Sequence, residues 1–140
     1  MKKRKLEIEY SYDFELIGVI SSMKGYKLAW DINHHLGTRL VRQTDLSIQF
    51  SDEVNCRYTH FSYQRPHYCL RLLKNRPHEG QGTKYLLVPE FPHSDFIVLS
   101  QGADRIECNR FQQYLKDIPS IQLVAFIPLA TLRSKEFFIF

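Results

Sequence analysis

Long hydrophobic runs are absent from this 140-residue sequence. A membrane-spanning helix needs about 20 consecutive apolar residues, and no stretch approaches that length, so we expect no membrane segment. The basic cluster at residues 2–5 is followed by Glu7 and Glu9, where the apolar core of a secretory signal peptide would lie. The sequence therefore predicts a cytoplasmic protein.

Cysteine is scarce as well. The three cysteines are an odd number without Cys-x-x-Cys spacing, which favours free thiols in a reducing compartment over a disulfide framework. Cys56 and His60 are four residues apart on a predicted strand, about 13 Å at about 3.3 Å per residue. Two ligands of one zinc ion lie much closer than that. His34 and His35 are adjacent on a predicted helix, so their side chains diverge by about 100°. We expect no bound metal.

The motifs of common enzyme classes are missing too. The sequence contains no G-x-S-x-G nucleophile elbow, no H-E-x-x-H metal motif, no G-x-G-x-x-G dinucleotide motif and no phosphate-binding P-loop. The glycine-containing stretch 79–84 lies between strand-like runs with no following helix, which is typical of a hairpin loop. The sequence thus offers no catalytic residue and no cofactor site, and it favours a non-enzymatic protein.

Aromatic residues, in contrast, are plentiful, with ten Phe and eight Tyr among the 14% of aromatic positions. Such residues favour strands and large buried contacts. Residues 13–22 are apolar enough to fit either a strand or a short helix, whereas alternating or continuous apolar runs predict strands elsewhere. These strands are residues 5–12, 45–50, 56–64, 67–75, 84–88, 95–100 and 121–126, with a further apolar segment at 136–140.

Two helices are predicted between the strands. In residues 25–37 apolar side chains recur every four residues, and Gly37 stands where a C′ glycine ends a helix. Residues 104–119 begin with a capping-box pattern, Asp104 and Glu107, and end at a proline.

This pattern predicts one α+β domain over residues 1–140, because no linker rich in Pro, Gly or Ser divides the chain. We expect a mainly antiparallel sheet of about five to seven strands with the two main helices packed on one face. Residues 1–5 form a basic N-terminal arm. The net charge of +4 equals the four basic residues of this arm, which leaves 15 basic and 15 acidic residues in the rest of the chain.

The stretch Val-Pro-Glu-Phe-Pro at residues 88–92 places a carboxylate between two prolines in an apolar region. Proline lacks an N–H and keeps the preceding residue extended. We therefore predict a stiff, extended connector between the strands at 84–88 and 95–100. Asp95 is expected to bond the local backbone in a turn. Glu90 and Asp95 are candidates for a binding pocket only, since a catalytic carboxylate needs a second titrating group set against it.

Residues 88–96 resemble the motif of the IPExxxVDY family, small bacterial proteins of about this length with no assigned activity. The segments YDFELIG at 12–18 and YKLAWDIN at 26–33 are similar as well, so the likeness covers most of the chain in the same order. The resemblance implies a family but no mechanism. The motif is altered at three positions, where Val88 replaces Ile, Ser94 replaces Val and Phe96 replaces Tyr.

A protein-binding module is our leading interpretation, with another protein or a second copy of the chain as the partner. The apolar segment 136–140 has to be covered, because an exposed hydrophobic edge strand invites pairing. Burial within the monomer is the commonest way to cover such a segment, and a homodimer seam is the sharper hypothesis. Trp30 is a further candidate contact, because it forms a row with Tyr26 and His34 at i, i+4 spacing on a predicted helix.

Nucleic-acid binding through the strands within residues 56–76 and the basic N-terminal arm is the alternative interpretation. Residues 54–85 carry six basic side chains against one acidic side chain. On a strand, alternate residues point to the same face of the sheet. Alternate positions from residue 57 onward would therefore present cations and aromatic rings on one exposed face, where bases stack on the rings and arginines bind phosphate. These residues are Arg57, Phe61, Tyr63 and Arg65. A third interpretation is a small-molecule enzyme or sensor with a pocket near Glu90.

Overall fold

The computed structural model describes residues 14–78, 85–102, 105–133 and 135–138, with the backbone alone at 105–108 and 135–136. Within these residues the predicted α+β class is confirmed. The elements in chain order are β1 (Phe14–Ile20), α1 (Gly25–Leu36), β2 (Val41–Arg42), β3 (Leu46–Ser51), β4 (Val54–Tyr58), β5 (His60–Arg65), β6 (Tyr68–Lys74), β7 (Phe96–Gln101), α2 (Arg105–Lys116) and β8 (Leu123–Ile127), followed by the 3-10 turns Leu129–Thr131 and Lys135–Phe138.

Several predictions from the N-terminal half and the loops concern residues outside the described ranges. They are the basic arm at 1–5, the strand at 5–12, the hairpin loop at 79–84 and the capping box of Asp104 and Glu107. None of the helices that are described is long and apolar enough to cross a bilayer.

A six-stranded antiparallel sheet forms the centre of the fold, in the order β2-β5-β6-β7-β1-β8, and β3 and β4 pair separately as a hairpin. The two strands near its middle, β1 and β7, are buried on both faces. Ile17 and Val19 lie in the core on one side, and Leu16 lies in the core on the other. This double burial explains why residues 14–20 are mostly apolar, and it resolves them as a strand.

The two helices cover one face of the sheet, as predicted. In α1 the residues Leu28, Ala29 and Ile32 are buried against that face. The helix ends at Gly37, whose φ of 72° is left-handed and whose N–H donates to the carbonyl of Asn33 at 2.9 Å. Apolar side chains from α2, such as Leu115, and from the loop after it pack in the same core.

The other face of the sheet is covered by irregular segments and the β3–β4 hairpin. Ile48 and Tyr58 of the hairpin pack there with Leu87, Val88 and Phe138. The predicted strand at residues 84–88 is wrong, because the described part of it, 85–88, is irregular chain lying against the sheet face. An apolar run that packs on a sheet has the same composition as one inside a sheet, so the pattern did not separate the two cases.

The predicted continuous strand at residues 56–64 is also wrong. Thr59 interrupts it, so that β4 belongs to the hairpin and β5 to the main sheet. The Thr59 carbonyl accepts a hydrogen bond from the Lys74 N–H at 3.0 Å, which holds the crossover point against β6. The junction predicted at Arg65-Pro66 is confirmed as the turn between β5 and β6.

The described part of the C-terminal segment is buried within the monomer, the first of the two possibilities predicted for it. Lys135–Phe138 is a 3-10 turn. Phe138 is buried in the core on the face of the sheet opposite the helices, which we call the sheet-face core, and its ring centroid lies 6.3 Å from that of Phe14. The described part of this segment is therefore covered within its own chain. The reason for placing a homodimer seam there does not hold for that part.

Candidate functional site

The double-proline stretch folds as two consecutive turns and not as an extended connector. The Phe91 N–H donates to the Val88 carbonyl at 3.1 Å, and the Ser94 N–H donates to the Phe91 carbonyl at 3.1 Å. Each proline follows the first residue of its turn, the position that its fixed φ suits best. The predicted connector is therefore wrong in its shape, since the stretch turns twice where an extended chain was expected.

Asn75 is the residue that fixes these turns. It is 1% exposed, and its side-chain carbonyl accepts the Val88 N–H at 2.7 Å. Its side-chain amide donates to the carbonyls of Ser94 at 2.9 Å and Phe91 at 3.4 Å. Its backbone carbonyl accepts the Leu87 N–H at 2.7 Å. One buried amide thus satisfies polar backbone groups along the entire stretch, which is the condition for burying irregular chain.

Glu90 has a structural partner rather than a catalytic one. Its Oε2 accepts the backbone N–H of Arg133 at 2.8 Å, which ties the double-proline turns to the C-terminal segment. Its Oε1 is buried without a hydrogen-bond partner among the described residues. Within the same residues no group of three or more His, Cys, Asp or Glu side chains could hold a metal ion.

Asp95 bonds a distant segment, so the prediction that it closes a local turn is wrong. Its Oδ2 accepts the backbone N–H of Ser21 at 2.9 Å, at the end of β1. The Ser21 hydroxyl donates to the Ser120 carbonyl at 2.7 Å, and the Ser120 hydroxyl donates to Asp31 of α1 at 2.7 Å. This polar chain fastens the helix layer to one end of the sheet.

The four residues proposed as a nucleic-acid surface do not share an exposed face. Phe61 is buried in the core beneath the helices, and Tyr63 packs against that core. Arg57 lies on the separate hairpin, because the chain changes sheets at Thr59. Arg65 is exposed, and its Nη1 donates to the Tyr63 hydroxyl at 3.4 Å. The alternation that suggested stacking residues belongs to core packing.

Trp30 lies on the exposed side of α1. With Tyr26, Lys27 and His34 it forms a surface that we call the α1 ridge. Tyr26 is 68% exposed and Trp30 is 55% exposed. The His34 ring stacks on the Trp30 ring with a centroid distance of 5.0 Å and an interplanar angle of 4°. The Lys27 ammonium lies 4.6 Å from the centroid of the Trp30 ring. The row predicted at i, i+4 spacing is thus present and faces solvent.

A cleft of about 700 Å³ opens beside the α1 ridge, between the C-terminal end of α1 and α2. We call it the α1–α2 cleft. The end of β7 and the β5–β6 turn complete it. It is lined by His35, Leu36, Thr38, Pro66, His67, Tyr68, Ser100, Gly102, Arg110, Phe111 and Tyr114.

The floor and rim of the α1–α2 cleft are polar and rigid. Ser100 alternates along β7 with Phe96 and Val98 of the helix-side core, and its buried hydroxyl has no hydrogen-bond partner among the described residues. On the rim, Gly102 has a φ of 99°, and a Cβ there would overlap the carbonyl of His67. Only glycine allows this close approach, which locks the β5–β6 turn against the end of β7.

A second polar cluster joins the β2–β3 connection to the sheet. His60 is buried, its Nε2 accepts from Arg71 Nη1 at 2.9 Å, and its Nδ1 donates to the Thr44 carbonyl at 3.3 Å. Burial, followed by the charge of Arg71, lowers the pKa of His60 below its ordinary value. The neutral form with the proton on Nδ1 is therefore the one that the fold selects.

Asp45 lies in the same cluster and is held as a carboxylate. Its oxygens accept hydrogen bonds from Arg42 Nη2 and His78 Nε2, each at 2.7 Å. Burial alone would raise the pKa of Asp45, but these two bonds and the accompanying charges lower it. Neither this cluster nor the cleft was predicted, because their members come from segments that only the fold brings together.

No family model matches the sequence, and no curated protein matches it. The resemblance to the IPExxxVDY family therefore stays a prediction, based on residues 88–96 and on the two similar segments near the N-terminus.

Proposed function

We propose that this protein is a non-enzymatic binding module that contacts another protein through the α1 ridge. The observation that carries the proposal is the division of α1 into two faces. Leu28, Ala29 and Ile32 are buried on one face, while Tyr26 and Trp30 are mostly exposed on the other. Tyrosine and tryptophan dominate the binding energy of protein interfaces, because each buries a large area at a small cost in side-chain entropy.

The Trp30 ring is already ordered before any partner arrives. Its π system is occupied by the stacked His34 ring and by the Lys27 ammonium. Binding therefore needs little further loss of rotamer freedom at this residue, which favours affinity. A nucleobase would have to displace one of these two neighbours in order to stack, so the arrangement favours a protein partner over a nucleic acid.

The charge around the α1 ridge defines the chemistry of the partner. Lys24 and Lys27 are exposed here and outnumber the single carboxylate of Asp31, which accepts a hydrogen bond from the Ser120 hydroxyl. The surface is therefore cationic and aromatic. The complementary partner offers an apolar recess bordered by acidic side chains, an arrangement that also speeds encounter at low salt.

Affinity capture of the native protein from its own cells tests the proposal when it is combined with matched variants. The double variant Tyr26→Ala/Trp30→Ala removes the ridge aromatics. Phe126→Ala removes another aromatic residue, 43% exposed, from edge strand β8 and serves as the control. A protein whose recovery falls at least about tenfold with the double variant, but not with Phe126→Ala, is the expected result.

Two outcomes would contradict the proposal. One is a set of captured proteins that the double variant leaves unchanged. The other is co-purifying RNA or DNA whose digestion by nuclease abolishes the recovery of every ridge-dependent protein. The second outcome would assign the α1 ridge to nucleic acid, and binding would then weaken steeply as salt rises.

A further inference from the structure

We propose that the α1–α2 cleft binds a small organic anion, a planar apolar body that carries a carboxylate or phosphate head group. The proposal is independent of the α1 ridge and concerns a different class of ligand. The volume of the cleft, about 700 Å³, lies within the range of small-molecule sites, about 300 to 1,000 Å³.

The walls of the cleft suit a planar body. Phe111 and Tyr114 line it from α2, and Leu36 and Pro66 line it from the opposite elements. Aromatic side chains stack with flat rings, and such contacts contribute binding free energy beyond the buried area alone. Tyr114 is about half exposed, so an entering ring can cover it.

The charge of the lining suits an anionic head group. Arg110, His35 and His67 line the cleft, and none of the described residues that line it is acidic. The Nδ1 of His35 donates to the Asp31 carbonyl at 2.9 Å, so the neutral His35 ring has no second N–H to offer, and Arg110 is the donor on which recognition of the head group depends. A guanidinium pairs with the two oxygens of a carboxylate or phosphate in a geometry that ammonium groups do not match.

Ser100 supplies the second, independent observation. It is 4% exposed, it lines the cleft, and its hydroxyl has no hydrogen-bond partner among the described residues. A buried hydroxyl left unpaired destabilises the folded protein, because the hydrogen bonds that it made to water are not replaced. An oxyanion in the cleft would accept a hydrogen bond from this hydroxyl and remove that destabilisation. Because the hydroxyl oxygen is itself buried, the Ser100 side chain has to turn toward the cleft for this bond to form.

The rim is organised in advance for this role. His67 has a φ of 69°, which non-glycine residues seldom adopt, and its carbonyl meets the backbone of Gly102 at closest approach. The turn that bears His67 is thus fixed relative to Ser100, two residues before Gly102. Groups that do not reorganise on binding lose less free energy when the ligand arrives.

Titration of the full-length chain with four probes, followed by amide chemical shifts, tests the proposal. The probes are 1-naphthyl phosphate, 1-naphthoate, neutral 1-naphthol and inorganic phosphate. We expect at least one naphthyl anion to bind about tenfold or more tightly than naphthol, with shifts at Ser100 and Arg110. Comparison of the phosphate and the carboxylate identifies the preferred head group, and inorganic phosphate alone shows whether the planar body is needed.

Three variants assign the effect to the cleft. Arg110→Met and Ser100→Ala are each expected to weaken binding at least about tenfold, as for the loss of a hydrogen bond to a charged group. Arg133→Met is the matched control, an exposed arginine next to the sheet-face core, and is expected to leave affinity unchanged. Without ligand, Ser100→Ala is expected to match or exceed the wild-type Tm, because it removes an unpaired buried hydroxyl.

Any of three results would overturn the proposal. Naphthol binding as tightly as both anions would show an apolar cleft without anion recognition. Absence of binding by both naphthyl anions at millimolar concentration would show that there is no site. A lower Tm for Ser100→Ala with unchanged anion affinity would give the hydroxyl a structural role only.

Discussion

At the scale of single residues, Asn75 explains why the chain can bury an irregular segment that contains two prolines and a carboxylate. The two prolines have no N–H that would need a partner. The Asn75 side chain accepts a hydrogen bond from the Val88 N–H and donates to the carbonyls of Phe91 and Ser94. Glu90 adds the bond to the Arg133 N–H. The carboxylate between the prolines is thus a fastening point of the fold.

Asn75→Ala is predicted to lower the free energy of unfolding by about 2 to 4 kcal/mol, because several buried polar groups lose their partners together. Urea denaturation of the two proteins measures this difference. Asn55→Ala is the matched control, since Asn55 is exposed and only accepts a bond from the Ser47 hydroxyl. The control is expected to change stability by less than about 0.5 kcal/mol. Equal effects of the two substitutions would contradict the role of Asn75.

His60 makes the stability of the fold dependent on pH. Its pKa in the folded protein is lowered, first by burial and then by Arg71, from an ordinary value of 6.5. The unfolded chain therefore binds the proton more readily than the folded one. Stability is fully present above pH 6.5 and is lost as the pH falls from that value towards the lower pKa of the folded state. Protonation would also place an N–H of His60 against Arg71, to which it now offers an acceptor.

Thermal unfolding measured between pH 7.5 and pH 5 is therefore expected to show a falling Tm. His60→Gln should flatten this slope, because the substituted side chain does not titrate there. His93→Gln, at an exposed histidine, should leave the slope unchanged. Asp45, whose pKa is also lowered, acts in a separate range, since its contribution is lost only as the pH falls below its ordinary value of 3.8. A slope that His60→Gln does not alter would contradict the assignment.

At the scale of elements, the sequence predicts those helices and strands whose buried residues recur with the period of the element itself. Helix α1 has one apolar stripe and a terminal glycine, and strand β7 is a short continuous apolar run, so each pattern has one good interpretation. Residues 85–88 are equally apolar yet lie on the sheet, and Thr59 ends a strand that the alternation would have continued. The α1–α2 cleft is lined by residues from four separate elements, so no spacing within the sequence predicts it.

The C-terminal 3-10 turn is buried within the monomer, although its sequence also allowed a homodimer seam, and a substitution at Phe138 tests this burial. Phe138→Ala is predicted to lower the free energy of unfolding by about 3 to 5 kcal/mol, as for a fully buried ring. Phe126→Ala, at a ring that is nearly half exposed, is expected to cost about 1 kcal/mol or less. Chemical denaturation distinguishes the two. A small effect at Phe138 would restore the segment as an exposed surface available for pairing.

At the scale of the whole molecule, the sheet is covered on both faces by its own chain. The segment at which a homodimer seam was predicted is part of that cover, so the homodimer prediction has no surface assigned to it. We predict that light scattering during size exclusion gives the mass of a monomer, 16.6 kDa, at micromolar concentrations. A mass twice as large would indicate pairing between copies. The exposed edge of β8, with Leu123 and Phe126 beside it, is the place where such pairing would begin.

The claim that the α1 ridge contacts another protein is tested most directly by photo-crosslinking in the protein's own cells. A photoreactive phenylalanine analogue replaces Tyr26 in one sample and Phe126 in the other, and both are irradiated. We predict a discrete protein adduct from position 26 and none from position 126. A nucleic-acid adduct at position 26, or protein adducts from position 126 alone, would contradict it.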